Sequence, residues 1–214
     1  MDELLELMKT RRSIRRYKDK DVPDELLEKI MEAGRWSPSG DNGQAWRFIV
    51  VRDQETKDAM SRIATEGSGR RFEAEYFTGR MDERFEGLKD EKKKAKAYKL
   101  LRSGEVSSFL KDAPVIIVVC AFLDVWDVPY DVAMATQNMQ LMAHALGLGT
   151  CVVVGPVCDI IDETETNKLL KVPHGYKVAL PLAVGYPNES PGPRPRWALE
   201  DITYYEEFGE RREQ

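Results

Sequence analysis

Two stretches gather the groups in this chain best suited to hold a ligand. Thr10-Arg11-Arg12-Ser13-Ile14-Arg15-Arg16-Tyr17 places four arginines in six positions, with a serine among them. Planar guanidinium forks and a short hydroxyl suit a phosphate, because charge-assisted bonds of this kind are the strong ones. In an extended backbone Arg11, Ser13 and Arg15 point one way, and Arg12, Ile14 and Arg16 the other. A solvated basic turn is the plain alternative. The second stretch, Trp36-Ser37-Pro38-Ser39-Gly40-Asp41-Asn42-Gly43-Gln44-Ala45-Trp46, sets neutral hydrogen-bonding groups in a turn punctuated by Gly and Pro. Such a turn exposes backbone amides and short polar side chains that can meet a planar ligand. Its plain alternative is a helix-to-strand connection flanked by two core tryptophans. Near the end, Arg194 and Arg196 stand two apart among Pro191, Pro193 and Pro195, so an extended backbone lets both reach one region. Ser/His and Cys/His constellations are absent, and no side-chain nucleophile is expected. With only His144 and His174, and with Cys120, Cys151 and Cys158 at no metal-like spacing, no metal site is expected.

Those groups must be positioned by the elements between them. Leu4, Leu7 and Met8 mark one face of a helix near Glu3 to Lys9. Val22-Pro23-Asp24-Glu25 starts a second, running to about Gly34 and delivering the chain into the Trp36–Trp46 loop. Phe48 to Val51 reads as a strand, and Gln54 to Ala64 as a helix. The segment from about 66 to 105 is densely charged in both signs, with sparse helix-spaced apolar residues such as Phe72 with Tyr76. It reads as a helical insertion over the domain surface, either a lid on a pocket or a solvated hairpin or dimer arm. Ala113 to Cys120 is a continuous β-branched run, expected as a central strand buried on both faces. Pro129 to Leu146 is an apolar helix buried on most sides, ended by Gly147 and Gly149, with His144 as a packed histidine. Thr150 to Pro156 and Lys177 to Gly185 read as further strands, with a helix from about Glu163 to Leu170 between them. A proline-rich arm begins near residue 187.

Composition narrows the class. The chain has 214 residues, 42% hydrophobic and 32% charged, which describes one soluble domain spanning 1–214 with a real core. A net charge of -5 argues against nucleic-acid binding. No apolar run reaches the roughly 20 residues a bilayer requires, so no membrane is expected. The acidic, amphipathic start does not read as a signal peptide. Cysteines without a framework suit reduced thiols in a cytoplasm.

Taken together, Arg11-Arg12-Ser13-Ile14-Arg15, Ser37-Pro38-Ser39-x-x-Asn42-x-Gln44-x-Trp46, Ala145-Leu146-Gly147-Leu148-Gly149-Thr150-Cys151 and the Arg194/Arg196 pair resemble the FMN-dependent nitroreductase superfamily in order and spacing. The similarity runs from Glu3 to about Trp197. It implies an α+β fold, with a mainly antiparallel central sheet surrounded by helices, in an intertwined homodimer with FMN at the subunit interface. In that picture Arg11, Arg12, Ser13, Arg194 and Arg196 hold the phosphate and ribityl end, and Arg15 lies by the pyrimidine edge. Pro38, Ser39 and Asn42 approach from the other subunit. The Val152-Val153-Val154-Gly155 turn, through Val153, Val154 and Gly155, offers backbone N–H groups near the redox edge of the ring.

The implied activity is ping-pong hydride transfer from NAD(P)H to an electron-poor small molecule such as a nitroaromatic, quinone, enone or flavin. A lidded reductive dehalogenase resembling iodotyrosine deiodinase, or a flavin-binding protein without turnover, are the alternatives. The chain departs from its relatives in two places. Many contribute an Asn and a Lys from the segment that here reads Val106-Ser107-Ser108-Phe109-Leu110-Lys111. Position 154 is Val where some carry an acidic residue.

Overall fold

A computed structural model describes residues 2–123 and 127–209; the two ends of the single domain expected over 1–214, and residues 124–126, lie outside the described residues. Helix α1 is Asp2–Thr10 and α2 is Asp24–Arg35. Pro23 caps α2, Asp24 and Glu25 occupy its positive end, and Leu27 and Ile30 are buried on its inner face. Strand β1 is Trp46–Val51 and β2 is Val115–Phe122. Helix α3 runs from Gln54 to Phe77, well past Ala64. Gly67 and Gly69 weaken it by about 1 kcal/mol each relative to Ala, yet Gly67 and Ser68 are buried against the domain. Packing has overridden propensity there.

The charged segment therefore comprises the second half of α3, a short α4 at Arg80–Arg84, and α5 at Glu91–Arg102. Its aromatics join these helices: the Tyr98 ring lies 6.0 Å from Tyr76 and 5.6 Å from Phe85. Helix α6, Val128–Ala145, ends before Gly147 at φ 76°. Strand β3 is Gly149–Val152, and β4 is Tyr176–Gly185. Between them α7, Ile160–Leu169, begins ahead of Glu163 because Asp159 caps it, accepting from the N–H of Ile161 and Asp162.

The strands form one sheet in the order β1-β2-β4-β3, with every neighbouring pair antiparallel. Strand β2 sorts the core by alternation. Val115, Ile117, Val119 and Ala121 face α2 and α6, in a cluster with Leu27, Ile30 and Met139. Ile116, Val118 and Cys120 face the opposite side, where Met60 and Ala64 of α3 pack with Leu110 and Val153. The result is an α+β fold with helices on both faces of a mixed-length antiparallel sheet. Helix α6 is less enclosed than its composition suggested: Val132, Ala135 and Met139 are buried, but Tyr130 and Met134 face outward. No helix among the described residues is long and apolar enough to cross a membrane.

Candidate functional site

The arginine segment is placed by the sheet edge. Ser13 pairs with Thr150 in a parallel bridge, and the Ile14 N–H donates to Thr150 O at 2.9 Å. The Ile14 side chain fits over Gly149, where a Cβ would lie 2.6 Å from Ile14 Cγ1. Gly147 ends α6, whereas Gly149 makes room for this segment. The next residues then pair with the start of the C-terminal arm. Lys18 N–H donates to Tyr186 O and Asn188 N–H to Arg16 O, both at 2.9 Å, around a Tyr17–Pro187 bridge. That short ladder carries Arg194 and Arg196 back to Arg11.

Arg11, Arg12, Ser13, Arg15, Arg194 and Arg196, together with Glu189 and Ser190, line a cleft of about 410 Å³. Five guanidiniums there face the single carboxylate of Glu189. Arg12 lies in the cleft with Arg11 and Arg15, contrary to strict alternation, because Arg11 still continues α1 through its N–H bond to Leu7 O (3.1 Å). Sheet pairing starts only at Ser13. Arg12 Nη1 donates to Lys9 O (2.6 Å) and Arg11 O (2.8 Å), and its Nε to Gly192 O (3.1 Å). Arg11 Nη1 is buried with no hydrogen-bond partner. Burial, then the charge of Arg12 and, more weakly, Arg196 push the Arg11 pKa down. A buried donor left open among like charges is unfavourable unless an anion completes it.

Glu189 escaped sequence reasoning. Its Oε1 accepts from the N–H of Arg15 at 2.5 Å and of Arg16 at 3.1 Å. No local signal could mark it, since it reaches its partners only through the 16–18 and 186–188 pairing. His144 also has an unexpected neighbour: its Nε2 lies 3.0 Å from Thr10 Oγ1. Burial, then Arg11 and Arg12, push the His144 pKa down. All three cysteines are free thiols, and burial pushes Cys120 up to about 11.

The Trp36–Trp46 loop forms a different part of the surface. Trp46 is a core residue at 5% exposure, but Trp36 is 72% exposed, so the two tryptophans do not share a core role. Asp41, Asn42 and Gln44 all adopt positive φ (50°, 55° and 46°), a region that Asp and Asn tolerate and Gln seldom enters. The turn is held from within, Ser39 Oγ accepting from Gln44 N–H (3.1 Å), and from outside, Asp131 Oδ1 accepting from Gly40 N–H (3.2 Å). Ser37 is structural, accepting from Asn138 Nδ2 at 2.7 Å. Pro38 and Asn42 are exposed and Ser39 half-buried.

Pro38, Ser39 and Asn42 do not line the arginine cleft. The loop is tied to Asp131, whereas Arg11 and Arg12 border His144. The stretch of α6 between those two residues is about 20 Å long at a rise of about 1.5 Å per residue. Val153, Val154 and Gly155 also lie outside the cleft lining. Val153 N–H is already given to Pro181 O (2.9 Å), while no backbone carbonyl among the described residues accepts from Val154 or Gly155. Val154 is exposed, and Thr166 Oγ1 donates to Pro156 O at 2.6 Å, fixing the turn that follows.

An antiparallel sheet between helical layers, with an open, strongly cationic cleft at its edge, defines an α+β protein. The family description "Nitroreductase family" matches residues 8–186. The chain belongs to the nitroreductase family. It is 31% identical over 197 residues to a protein of Methanothermobacter thermautotrophicus provisionally named NADH dehydrogenase/NAD(P)H nitroreductase, covering 90% of this chain and 81% of that one. It is 30% identical over 205 residues to the iodotyrosine deiodinase of Thermotoga neapolitana, covering 94% and 96%. The crystal structure of an oxidized iodotyrosine deiodinase bound to FMN and 3-iodo-L-tyrosine superposes with a TM-score of 0.74 at 26% identity, over 96% of this chain and all (100%) of that one.

Proposed function

We propose that the protein is an FMN-dependent oxidoreductase that uses NAD(P)H to reduce an electron-poor small molecule: a nitroaromatic, a quinone, an activated enone or a flavin. The observation that carries this reading is the arginine cleft with its buried, unpartnered Arg11 Nη1. A phosphate dianion removed from water needs several fixed donors, and these residues fit one. When bound, FMN would supply the redox chemistry, taking a hydride from NAD(P)H and giving it to the acceptor in two successive half-reactions.

The chain's own residues would bind and position. Arg11, Arg12, Ser13, Arg194 and Arg196 hold the phosphate end. Arg15 places a positive charge where the ring gains negative charge on reduction. Glu189 keeps the Arg15–Arg16 backbone in place and offsets part of the cleft's charge. Val154 and Gly155 offer open amides near the redox edge. Pro38, Ser39 and Asn42 lie about 20 Å along α6 from the cleft's His144 side, too far to serve the same small ligand within one chain. We assign them to the site of a second copy, in a homodimer. The apolar groove formed by Leu4, Leu7, Trp36, Leu141, Met142 and Ala145 supports this assembly, as do exposed Leu5, Met8, Tyr130 and Met134. A cytoplasmic location fits the free thiols.

Similarity to iodotyrosine deiodinases supports a second reading, reductive dehalogenation. Against it, no Glu in residues 66–105 is followed four positions later by Tyr. A flavin carrier without turnover is the third. A visible absorption spectrum before and after anaerobic NADH or NADPH separates them. Yellow bands that bleach and return with an acceptor support the proposal. Bands that persist with both nucleotides count against it, and release of iodide from 3-iodotyrosine under dithionite then favours the deiodinase. A protein that stays colourless with added FMN removes the cofactor assignment.

A further inference from the structure

A second basic hollow, of about 820 Å³, lies between the C-terminal half of α3, the start of α4 and Cys158–Asp159. Val154 and Gly155 are not in its lining, and it reaches their turn through one lining residue. Gly67 of α3 lines it, and a Cβ on Gly67 would lie 2.6 Å from Gly155 O. Its charges are unevenly matched. Arg70 is neutralised, donating through Nη2 to Asp162 Oδ1 (2.5 Å) and through Nε to Asp159 Oδ2 (3.3 Å). Arg71 and Arg84 instead share one carboxylate, Glu75: Arg71 Nε (3.1 Å) and Arg84 Nη2 (3.3 Å) both donate to Oε1, and Arg84 Nη1 lies 3.1 Å from Oε2. The Nη1 contact is poorly angled, leaving Glu75 Oε2 buried without a hydrogen bond. Arg80 forms no ion pair among the described residues. Beside the Arg70–Asp159 pair, the hollow's own lining thus sets Arg71 and Arg80 against the single carboxylate of Glu75, which Arg84 shares from outside the lining.

Two of these arginines, Arg71 and Arg84, are also held in place. The Phe72 ring lies 5.4 Å from the Arg71 guanidinium carbon and 5.6 Å from that of Arg84. A planar, pre-positioned fork beside an unneutralised cation suits bidentate recognition of a carboxylate or phosphate.

We propose that this hollow is an acceptor subsite that takes the anionic group of the substrate, a carboxylate or phosphate on an electron-poor aromatic, with Arg71 and Arg80 as its donors. This rests on the reading above that the Val154–Gly155 amides lie at the redox edge, because that contact places the hollow beside the reacting centre. It narrows the acceptor class to acidic aromatics and gives the charged helical segment a role in recognition.

The test compares two probes of similar shape, 4-nitrobenzoate and 4-nitrobenzamide, on the flavin-loaded protein. Calorimetric titration should show the benzoate binding about tenfold tighter, the value of one charge-assisted bond. The Arg71→Ala/Arg80→Ala variant should lose that preference, and Arg80→Lys should keep part of it. The ratio of kcat/KM for the two probes should follow the binding ratio. Equal binding of both probes by the parent protein, or a ratio unmoved in the double variant, overturns the subsite. A change in NADPH over NADH with the probe ratio unmoved assigns the anion to the donor's 2′-phosphate, and overturns it too. Arg80 is exposed, so Arg80→Gln reports on the site even where the double variant folds poorly. If NAD(P)H does not bleach the flavin, the proposed reaction fails, but the calorimetric ratio still decides the subsite.

Discussion

Arg11→Ala separates a binding role from a structural one, because the two predict opposite signs. Arg11 Nη1 is buried and unpartnered, and Arg12 and Arg196 repel its charge. Without flavin, truncation removes an open buried donor and part of that repulsion. The flavin-free protein should therefore lose nothing and gain up to about 1 kcal/mol. With flavin, truncation removes a charge-assisted bond worth about 1.5–3 kcal/mol, which weakens FMN binding roughly 10- to 150-fold. Flavin fluorescence quenching gives the dissociation constant, and thermal unfolding of the stripped protein gives the stability. Full flavin occupancy in the variant, or a flavin-free protein destabilised by more than about 1 kcal/mol, would refute the assignment of Arg11 to the phosphate.

Three further outcomes are expected. Gly149→Ala puts a methyl 2.6 Å from Ile14 Cγ1; it should cost about 1–3 kcal/mol of stability and release flavin, and a variant with parental melting and flavin content would contradict that packing. His144 has a pKa pushed below its ordinary value of about 6.5. Between that value and the lower folded one the unfolded chain binds more protons, so stability is flat above the window and declines as pH falls through it. Unfolding of the stripped protein at several pH values should show that decline, smaller with phosphate in the cleft and absent in His144→Gln; identical profiles would remove the coupling to Arg11 and Arg12. The protein should sediment as a dimer, and Trp36→Glu should give a monomer that loses flavin; a flavin-loaded monomer would disprove a shared site.

Several structural features were legible because they are local. The β-branched run at Val115–Val119 has only one comfortable place, the centre of a sheet covered on both faces. Val22-Pro23-Asp24-Glu25 contains a helix start in its own chemistry, a fixed φ followed by acids at the positive end. The arginine segment marked itself as a concentration of positive charge through residue type alone, and its Arg11, Arg12 and Arg15 line one cleft. Other features were misread for equally physical reasons. Gly67 and Gly69 look like helix breaks until the domain packs against them, and Arg12 looks outward-facing until α1 is seen to run into its neighbour. Trp36 resembles a core residue by type, while its surroundings leave it on an open apolar face.

By itself, the sequence determined most of the element types and which residues carry the charges of the arginine cleft, because propensity, alternation and charge act over a few neighbours, while the α+β class came from the family resemblance. Only the tertiary structure decided which of those residues meet. Arg194 and Arg196 join Arg11 because residues 186–188 pair with 16–18, and Glu189 enters the cleft by the same ladder. The loop around Asn42 is kept away from that cleft by the length of α6, and the charge imbalance near Arg80 exists only once α3 and α4 fold together. Contacts closed over such separations depend on backbone pairing and packing of the whole chain, for which no short stretch of sequence carries a signal.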